Sequence, residues 1–309
     1  MFEAADRGQP FALATIISAD GGPRPPGAQM VVTERASWGY LSGGCIEDDV
    51  ALNAREVIKS GEPRTLVYGE GSPFIDIRLP CGGRIEVAVE RVPPDDTALH
   101  ALRSLTATRR PAVWTSDGST RTCVPAEDCG DIGREPILRR YDPALRLIVV
   151  GSDPFALAIC AMGKTIGWEA VLLAPFGPAG DAPFGIRHDR RPLGQSLGEF
   201  DLDGWTAVAV ATHDLDLDEA ALVPALRSRA GYVGVLGSRR KLAQRRVGLA
   251  EAGLTEAEIS RLHAPIGIAI DAQSPWEVAV AVIAEIIENQ RSIGSLHLQL
   301  ASPGIHAAA

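Results

Sequence analysis

LRLIVVGSDPFALAICAM, residues 145–162, is the stretch that decides the fold of the second half of this 309-residue chain. An apolar run of strand length, LRLIVV, leads through Gly151 into an apolar stretch of helical length. Further strand-like runs follow, separated by helical patterns and loops: EAVLL (169–173), TAVAVAT (206–212) and GYVGVL (231–236). Alternating strands and helices are typical of a parallel sheet with helices on its faces. The sequence therefore predicts an α/β fold, with a Rossmann-like domain over residues 141–291.

The last long helix of that domain has both a start signal and an apolar stripe. Ser274 is placed as its N-cap, with proline at the next position, and Glu277 completes a capping box. Ile286 lies on the apolar face at helical spacing. We expect this helix to end near Arg291 and residues 292–309 to form a flexible tail.

The first half of the chain has a different pattern, in which short β-rich runs alternate with Gly/Pro turns. The runs are FALATIIS (11–18), AQMVVT (28–33), TLVYG (65–69) and RIEVAVE (84–90). One helical stretch, residues 46–59, interrupts them. A helix over 97–108, a strand AVWTS (112–116) and a polar connecting segment follow. We predict an N-terminal α+β domain over residues 1–140.

Composition and charge exclude several classes of protein. Hydrophobic residues at 46% and charged residues at 22% are ordinary for a globular chain. A net charge of −9 opposes attraction to phosphate backbones and to anionic lipid, so nucleic acid is not an expected partner. The apolar runs are too short to cross a membrane, and the acidic N-terminus is unlike a secretory signal.

The five cysteines indicate reduced thiols rather than a disulfide framework. Their number is odd and none form a C-x-x-C pair, which fits neither full disulfide pairing nor a structural zinc site. We therefore expect a cytoplasmic protein.

The segment SGGCIE (42–47) combines two glycines with a cysteine at the start of the predicted helix. Gly43 and Gly44 let backbone N–H groups approach a ligand, and the positive end of a helix favours both an oxyanion and the thiolate form of Cys45. A thiolate is a soft ligand that suits molybdenum or sulfur-rich groups. The structural alternative is a tight turn that buries a cysteine.

Two other loops carry candidate binding groups. Arg24 lies in the Pro/Gly-rich segment GGPRPPGAQM (21–30), which presents its guanidinium to a phosphate or to a planar heterocycle. Cys81 lies in LPCGGRIEV (79–87), at a turn between two strands. A surface turn arginine and a packed hairpin cysteine are the corresponding structural alternatives.

These loops occur in a recognisable order. PRPPGAQM (23–30), SGGCIE (42–47) and CGGRIEV (81–87) together closely resemble the N-terminal module of the XdhC/CoxI family. The resemblance continues in HDLDLDEAAL (213–222), GYVGVLGSRRKLAQRR (231–246) and APIGIAIDAQSPWEVAVAVIAEII (264–287). It therefore covers nearly the whole chain except the middle and the tail. Proteins of that family are accessory factors of molybdenum hydroxylases such as xanthine dehydrogenase.

The resemblance implies that this protein binds molybdenum cofactor, supports its sulfuration by a cysteine desulfurase and delivers it to a molybdenum hydroxylase apoenzyme. It places Cys45 at the cysteine of the family's Gly-Gly-Cys-aliphatic-Glu motif, with Glu47 as its acid. Cys81 matches the Cys-Gly-Gly cysteine. Cys45 is the expected contact to the metal. On this interpretation the protein is a chaperone and not a hydride-transfer enzyme, and a homodimer is the common state of such proteins.

The first turn of the Rossmann-like half departs from a dinucleotide-binding fingerprint. Gly151 keeps the first glycine, but Asp153 stands at the second position, where its charge opposes a pyrophosphate. Ala174 stands where an acidic residue would bind the ribose. An NAD(P)-binding oxidoreductase is therefore the alternative function, supported by the strand and helix pattern alone.

The loop after TAVAVAT carries an imidazole and several acids. Because parallel sheets bind ligands at the carboxyl ends of their strands, His213 is a candidate to bind a cation or a cofactor amine. Asp216 and Asp218 are interpreted as helix-capping, solvated acids.

The loop after GYVGVL opens a helix with a basic start. Gly237, Ser238 and Arg239 suit a phosphate, because they combine a helix N-terminus with a guanidinium. The alternative is a docking face for a hydroxylase or a desulfurase. A protein with such a face and no cofactor site would be a non-catalytic assembly scaffold.

Overall fold

A computed structural model describes residues 1–21, 24–70, 72, 82–130, 137–175, 177–237 and 239–300, with the backbone alone at 239–240 and 291–300. The chain divides into two compact units, unit 1 (Met1–Pro143) and unit 2 (Ala144–Ala309). Each unit has its own sheets and its own apolar cores.

Unit 1 is an α+β unit built on antiparallel sheets. Its strands are β1 (Phe11–Asp20), β2 (Gln29–Val32), β3 (Ser37–Trp38), β4 (Arg64–Gly69), β5 (Arg84–Val92), β6 (Ala112–Ser116), β7 (Arg121–Pro125) and β8 (Ile137–Tyr141). Its helices are α1 (Phe2–Asp6), α2 (Glu47–Ser60) and α3 (Thr97–Ala107). A five-stranded sheet has the order β3-β2-β1-β5-β4, and a three-stranded sheet has the order β7-β6-β8.

Strand β1 is the centre of the five-stranded sheet and is buried on both faces. Successive side chains of a strand point to opposite faces, so β1 contributes to two cores. Ala12, Ala14 and Ile16 pack in the core that contains α2. Phe11 and Leu13 pack in the core that contains α3 and the three-stranded sheet. The sheet is therefore the middle layer of unit 1.

Two strands lie in the segment that the sequence pattern gives as polar and irregular. β7 and β8 pair with β6, one on each side, and both are edge strands with few apolar residues. Hydrophobic alternation does not reveal these strands in the sequence, because only single side chains such as Cys123 and Ile137 enter the core. The connecting segment is thus part of the fold of unit 1.

Unit 2 has the predicted Rossmann-like architecture. Its strands are β9 (Arg146–Val150), β10 (Glu169–Leu173), β11 (Arg187–Asp189), β12 (Thr206–Val210), β13 (Tyr232–Val235) and β14 (Leu262–His263). Its helices are α4 (Pro154–Thr165), α5 (Leu193–Ser196), α6 (Leu215–Arg227), α7 (Arg239–Glu251), α8 (Glu256–Ile259) and α9 (Pro275–Leu300). All strand pairs are parallel, in the order β11-β10-β9-β12-β13-β14. This is the order of a doubly wound dinucleotide-binding sheet, with its switch point between β9 and β12.

Both faces of this sheet are covered. Leu147 and Val149 of β9 pack with α4 and α9, whereas Ile148 and Val150 pack with α6 and α8. Near-continuous apolar strands are typical of parallel sheets buried on two faces. The predicted Rossmann-like fold is therefore confirmed by the packing of its first strand.

Helix α9 begins as predicted and extends further than predicted. The Ser274 hydroxyl accepts from the N–H of Glu277 at 3.3 Å, and the Glu277 carboxylate accepts from the N–H of Ser274 at 2.9 Å, so the capping box is present. The helix continues past Arg291 to Leu300, and residues 301–309 lie outside the described part of the chain. Within the described ranges, no helix combines the length and apolarity needed to span a membrane.

Candidate functional site

Three loops leave from the same end of the five-stranded sheet of unit 1. Asp20, the last residue of β1, pairs with Arg84, the first residue of β5. Gly69, the last residue of β4, pairs with the same arginine. Gly39, which follows β3, lies against β2, since a Cβ added to it would be 2.5 Å from the carbonyl oxygen of Gln29. Among the described residues, those that follow or precede the strands at this end are 21, 24–28, 39–46, 70, 72 and 82–83, and they are here called the loop end of unit 1.

The Glu47 carboxylate organises the loop that carries Cys45. It accepts hydrogen bonds from five backbone N–H groups at 2.7–3.2 Å, those of Leu41, Ser42, Gly43, Gly44 and Ile46. It also accepts from the Ser42 hydroxyl at 2.8 Å. A concave set of backbone N–H groups is an anion-binding site, and here the anion is a side chain of the same loop.

These contacts control the ionisation of Glu47. Burial alone would raise the pKa of this carboxyl, which is 9% exposed, but the hydrogen bonds from Leu41, Ser42 and Gly43 lower the pKa to about 2. The carboxylate is therefore charged at neutral pH. The N–H groups of Gly43 and Gly44, which we predicted would face a ligand oxyanion, donate to Glu47 instead.

The two glycines are required by backbone conformation. Gly43 has φ +102° and Gly44 has φ +113°, in the region that residues with a Cβ rarely adopt. A Cβ added at either position would meet no atom within 4 Å, so open space lies beside both. This conformation is what turns successive N–H groups towards one carboxylate.

Cys45 lies at the tip of this loop with its side chain exposed. Its N–H donates to the Ser42 hydroxyl at 3.0 Å, which fixes the backbone at that point. Helix α2 begins at Glu47, so Cys45 precedes the first helical turn. Cys123 and Cys160, by contrast, are buried, and burial raises the pKa of their thiols to about 11 and about 12. The alternative in which Cys45 is a buried turn cysteine is therefore wrong.

Ser42 is a site residue that the sequence analysis did not single out. Its hydroxyl donates to Glu47 and accepts from the N–H groups of Cys45 and Ile46, at 3.0 and 3.2 Å. A serine before two glycines and an acid at the helix start is the signal that would have identified it, because serine hydroxyls bond nearby backbone N–H groups.

Two aromatic side chains precede this loop and face solvent. Trp38 is 54% exposed and Tyr40 is 68% exposed. Their backbone is held in place, since Trp38 pairs with Val31 and Gly39 packs closely on Gln29. Exposed aromatic rings on a fixed backbone can stack on a planar heterocycle.

Arg24 belongs to a second loop of the loop end. Arg24 is exposed, in the turn before Gly27, whose N–H donates to the carbonyl of Ile16 at 2.7 Å. Cys81 lies outside the described residues. Its neighbour Gly83 packs against the end of β1, since an added Cβ would be 2.4 Å from the carbonyl oxygen of Asp20. Gly83 therefore lies at the loop end.

In unit 2 the strands β9 and β12 end side by side at the switch point. A Cβ at Gly151 would be 2.2 Å from the carbonyl oxygen of Ala211, so only glycine fits. Asp153 caps α4, accepting from the N–H of Ala156 at 2.8 Å. Its second oxygen, Oδ2, is 3.2 Å from Nε2 of His213, which is largely exposed. Asp153 thus occupies the helix terminus that would receive a pyrophosphate.

The structure corrects the interpretation of Asp218 as a solvated acid. Its side chain is 1% exposed and accepts from Nε of Arg245 at 2.8 Å and from the Thr212 hydroxyl at 2.6 Å. Arg245 also donates to the carbonyl of Leu236 at 3.1 Å. This buried ion pair joins α6, α7 and the ends of β12 and β13. Asp214 and not Asp218 caps α6.

Gly237 follows β13 and packs against Arg245 of this ion pair. Its φ is +147°, and an added Cβ would be 2.6 Å from Nη1 of Arg245. Ser238 lies outside the described residues, and Arg239 begins α7 with its side chain undescribed. Their assignment to a phosphate site remains a prediction.

Comparison with known proteins agrees with this architecture. Residues 147–286 match the XdhC Rossmann domain, and residues 4–69 match the XdhC and CoxI family. The chain is 31% identical over 288 residues to the molybdenum cofactor insertion chaperone PaoD of Escherichia coli, covering 92% of this chain and 85% of that protein.

Two further proteins are similar over most of their length. A probable xanthine dehydrogenase subunit of Bacillus subtilis is 24% identical, over 91% of this chain and 93% of that protein. The crystal structure of a xanthine dehydrogenase from Bacillus halodurans superposes with a TM-score of 0.71 at 25% identity, covering 94% of this chain and 96% of that chain. With both halves matched and PaoD similar over nearly its whole length, the chain belongs to the XdhC and CoxI family.

Proposed function

We propose that this protein is a molybdenum cofactor chaperone, which binds the cofactor, supports its sulfuration and delivers it to a hydroxylase of the xanthine dehydrogenase type. Its similarity to PaoD, a molybdenum cofactor insertion chaperone, supports the cofactor as cargo. The observation that carries the proposal is the exposed thiol of Cys45 on a loop that Glu47 holds in one conformation.

The residues of the loop end fit the chemistry of such a cargo. A cysteine thiolate is a soft ligand for molybdenum and for sulfur-containing groups. The exposed rings of Trp38 and Tyr40 suit a planar pterin. Arg24 suits an anionic group. The N–H groups of the Cys45 loop already donate to the Glu47 carboxylate. The loop therefore contributes the Cys45 sulfur to a ligand and does not form an oxyanion site.

The Cys45 loop predicts a specific defect in cargo binding. Replacing Cys45 by alanine should lower the amount of cofactor that copurifies with the protein by roughly tenfold or more, since even changes to residues that only orient a metal's ligands cost about 10- to 100-fold in affinity. The measurement is pterin fluorescence per mole of purified protein, after oxidation of the pterin.

Cys129 provides the matched control, because it is a partly exposed thiol of unit 1 outside the loop end. Cys129→Ala should retain the wild-type amount of pterin. Equal pterin content in wild type and Cys45→Ala would contradict a direct role for the Cys45 sulfur.

Partners and compartment follow from the same proposal. The cargo's destination is a molybdenum hydroxylase apoenzyme, and the sulfur donor is a cysteine desulfurase, both in the cytoplasm. The basic start of α7, with Arg239, is a candidate docking face for either protein. A chaperone of this kind needs no catalytic residue of its own.

NAD(P) binding remains the alternative for unit 2. The strand order β11-β10-β9-β12-β13-β14 favours it, since this order recurs in dinucleotide-binding domains. The contacts of Asp153 oppose it, because a carboxylate already accepts from the first turn of α4 and repels a second anion. We therefore place the cargo's anionic group elsewhere.

A further inference from the structure

Arg139 on β8 is half-buried and carries a charge that nothing in the described part of the chain neutralises. Its Nε is buried and has no hydrogen-bond partner among the described residues. Its guanidinium carbon lies 5.6 Å from the centre of the Tyr141 ring. A buried guanidinium nitrogen without an acceptor is costly unless a ligand supplies one.

We propose that Arg139, together with Arg24, forms an anion site for a phosphate monoester at the loop end of unit 1. The inference deepens the proposed function and rests on it for the identity of the phosphate, which is then the terminal phosphate of the cofactor. The site itself binds any phosphate group that can reach the two arginines.

The surroundings hold Arg139 against the loop that carries Arg24. A Cβ added to Gly27 would be 3.4 Å from Nη1 and 3.6 Å from Cδ of Arg139, so the glycine backbone packs on this side chain. Gly27 itself has φ +86° and is tied to β1 by its hydrogen bond to Ile16. The arginine and the Pro-Pro-Gly turn are therefore in contact.

The aromatic ring beneath Arg139 is fixed from its other side. The Tyr141 hydroxyl donates to the Gln29 side chain at 2.6 Å, and the Gln29 amide donates to the Thr15 hydroxyl at 3.0 Å. These hydrogen bonds connect β8 to β1 and hold the Tyr141 ring in one position. A guanidinium held over such a ring loses little freedom on binding an anion.

Arg24 is close enough in the chain to share a ligand with Arg139. It is three positions before Gly27, at most roughly 10 Å of extended chain. The described residues offer Arg24 no hydrogen bond or ion pair. Two unneutralised guanidinium groups beside one turn, in a protein of net charge −9, indicate an acceptor of negative charge.

The neighbouring Arg140 lies on the same strand and, unlike Arg139, forms an ion pair. It follows Arg139 on β8, so its side chain points to the opposite face, and its Nε donates to Asp142 at 2.6 Å. Arg140→Met removes the same charge from the same strand without touching the proposed site. It is the matched control.

The direct test uses inorganic phosphate and the full-length protein. Phosphate binding is followed by ³¹P NMR line broadening, with wild type, Arg139→Met and Arg140→Met at constant ionic strength. We expect a dissociation constant at least roughly tenfold higher for Arg139→Met, because charged guanidinium–phosphate hydrogen bonds are strong. Arg140→Met should bind as wild type does, and near-UV circular dichroism checks the fold of each variant.

Two results would overturn the site. One is equal phosphate binding by wild type and Arg139→Met. The other is no binding by wild type up to about 10 mM phosphate, well above the ~1 mM dissociation constant of a weak specific site.

A second readout separates this inference from the proposed function. If wild type copurifies with pterin, Arg139→Met should reduce the pterin content and Arg140→Met should not. If wild type binds phosphate through Arg139 but holds no pterin, the anion site stands and the molybdenum cofactor is not its ligand. Retained pterin in Arg139→Met with lost phosphate binding would assign the site to a phosphate other than the cofactor's.

Discussion

Replacing Glu47 by alanine is expected to lower the free energy of unfolding of unit 1 by about 3–5 kcal/mol. The change leaves four N–H donors without their acceptor, of which those of Leu41 and Ser42 are buried, and it leaves the buried N–H of Ile46 with the Ser42 hydroxyl alone. Each unsatisfied buried donor costs about 1–3 kcal/mol, and the costs are not additive because the loop can rearrange and admit water. Urea unfolding measures the change.

Asp48 is the control for this prediction, because it lies in the same helical turn and is exposed. Asp48→Ala should change the free energy of unfolding by less than about 0.5 kcal/mol, as surface substitutions usually do. Glu47→Gln keeps the shape and removes the charge, and should fall between the two. A loss below about 1 kcal/mol in Glu47→Ala would show that the N–H groups do not depend on this carboxylate.

The same carboxylate gives stability a pH dependence of known sign. Its pKa is about 2 in the folded protein, below the ordinary value near 4.3, so the folded state favours the charged form. The stabilisation is complete above the unfolded pKa and is lost as the pH falls through the folded pKa. We expect about 2 kcal/mol, less than the full shift implies, because the exposed glycines admit water that screens the charge. The advantage of wild type over Glu47→Gln should therefore shrink between about pH 5 and pH 2.

Replacing Arg245 by methionine is expected to destabilise unit 2 by about 3–5 kcal/mol. The change leaves Asp218, whose side chain is 1% exposed, without a cation, and breaking one partner of a buried ion pair costs this much. The Thr212 hydroxyl alone would remain as its donor among the described residues. Thermal and urea unfolding report the loss.

Arg246 is the adjacent control, because it pairs with Glu256 at the surface. Arg246→Met should cost less than about 1 kcal/mol, as exposed pairs contribute little. The double variant Asp218→Leu, Arg245→Met should recover much of the loss, since it leaves no buried charge. If Arg245→Met and Arg246→Met unfold alike, Asp218 does not depend on Arg245.

The parallel strands and α9 could be predicted because their signals are local. β9 and β12 are apolar runs bounded by turns, and the capping box from Ser274 to Glu277 spans four residues. Such patterns depend on burial and on neighbouring backbone alone. The order of the strands in the sheet, by contrast, comes from the structure.

The contacts of the candidate site could not be predicted in the same way. Arg245 and Asp218 are 27 residues apart, and nothing in either helix marks them as partners. Arg139 becomes notable only when β8, a polar edge strand, is placed beside Gly27. The sequence located Cys45, Arg24 and the glycines, but tertiary structure decides which donors are already satisfied.

The structure also changes which groups are available to an anion. A carboxylate of this chain already occupies two sites that would otherwise attract an anion: Glu47 accepts from the N–H groups of the loop before α2, and Asp153 caps α4. A bound carboxylate competes with any phosphate for the same N–H groups. Among the described residues of the loop end and its surroundings, Arg24 and Arg139 carry guanidinium groups without an ion pair.

The molybdenum and pterin content of freshly purified protein is the most direct test of whether this chain carries a pterin-bound molybdenum. Protein prepared without oxygen from cells that make the cofactor is assayed for molybdenum by mass spectrometry and for pterin by fluorescence. We expect molybdenum and pterin to co-elute with the folded protein in about equimolar amounts. Folded protein that carries neither molybdenum nor pterin, from cells in which a hydroxylase is fully loaded, would contradict it.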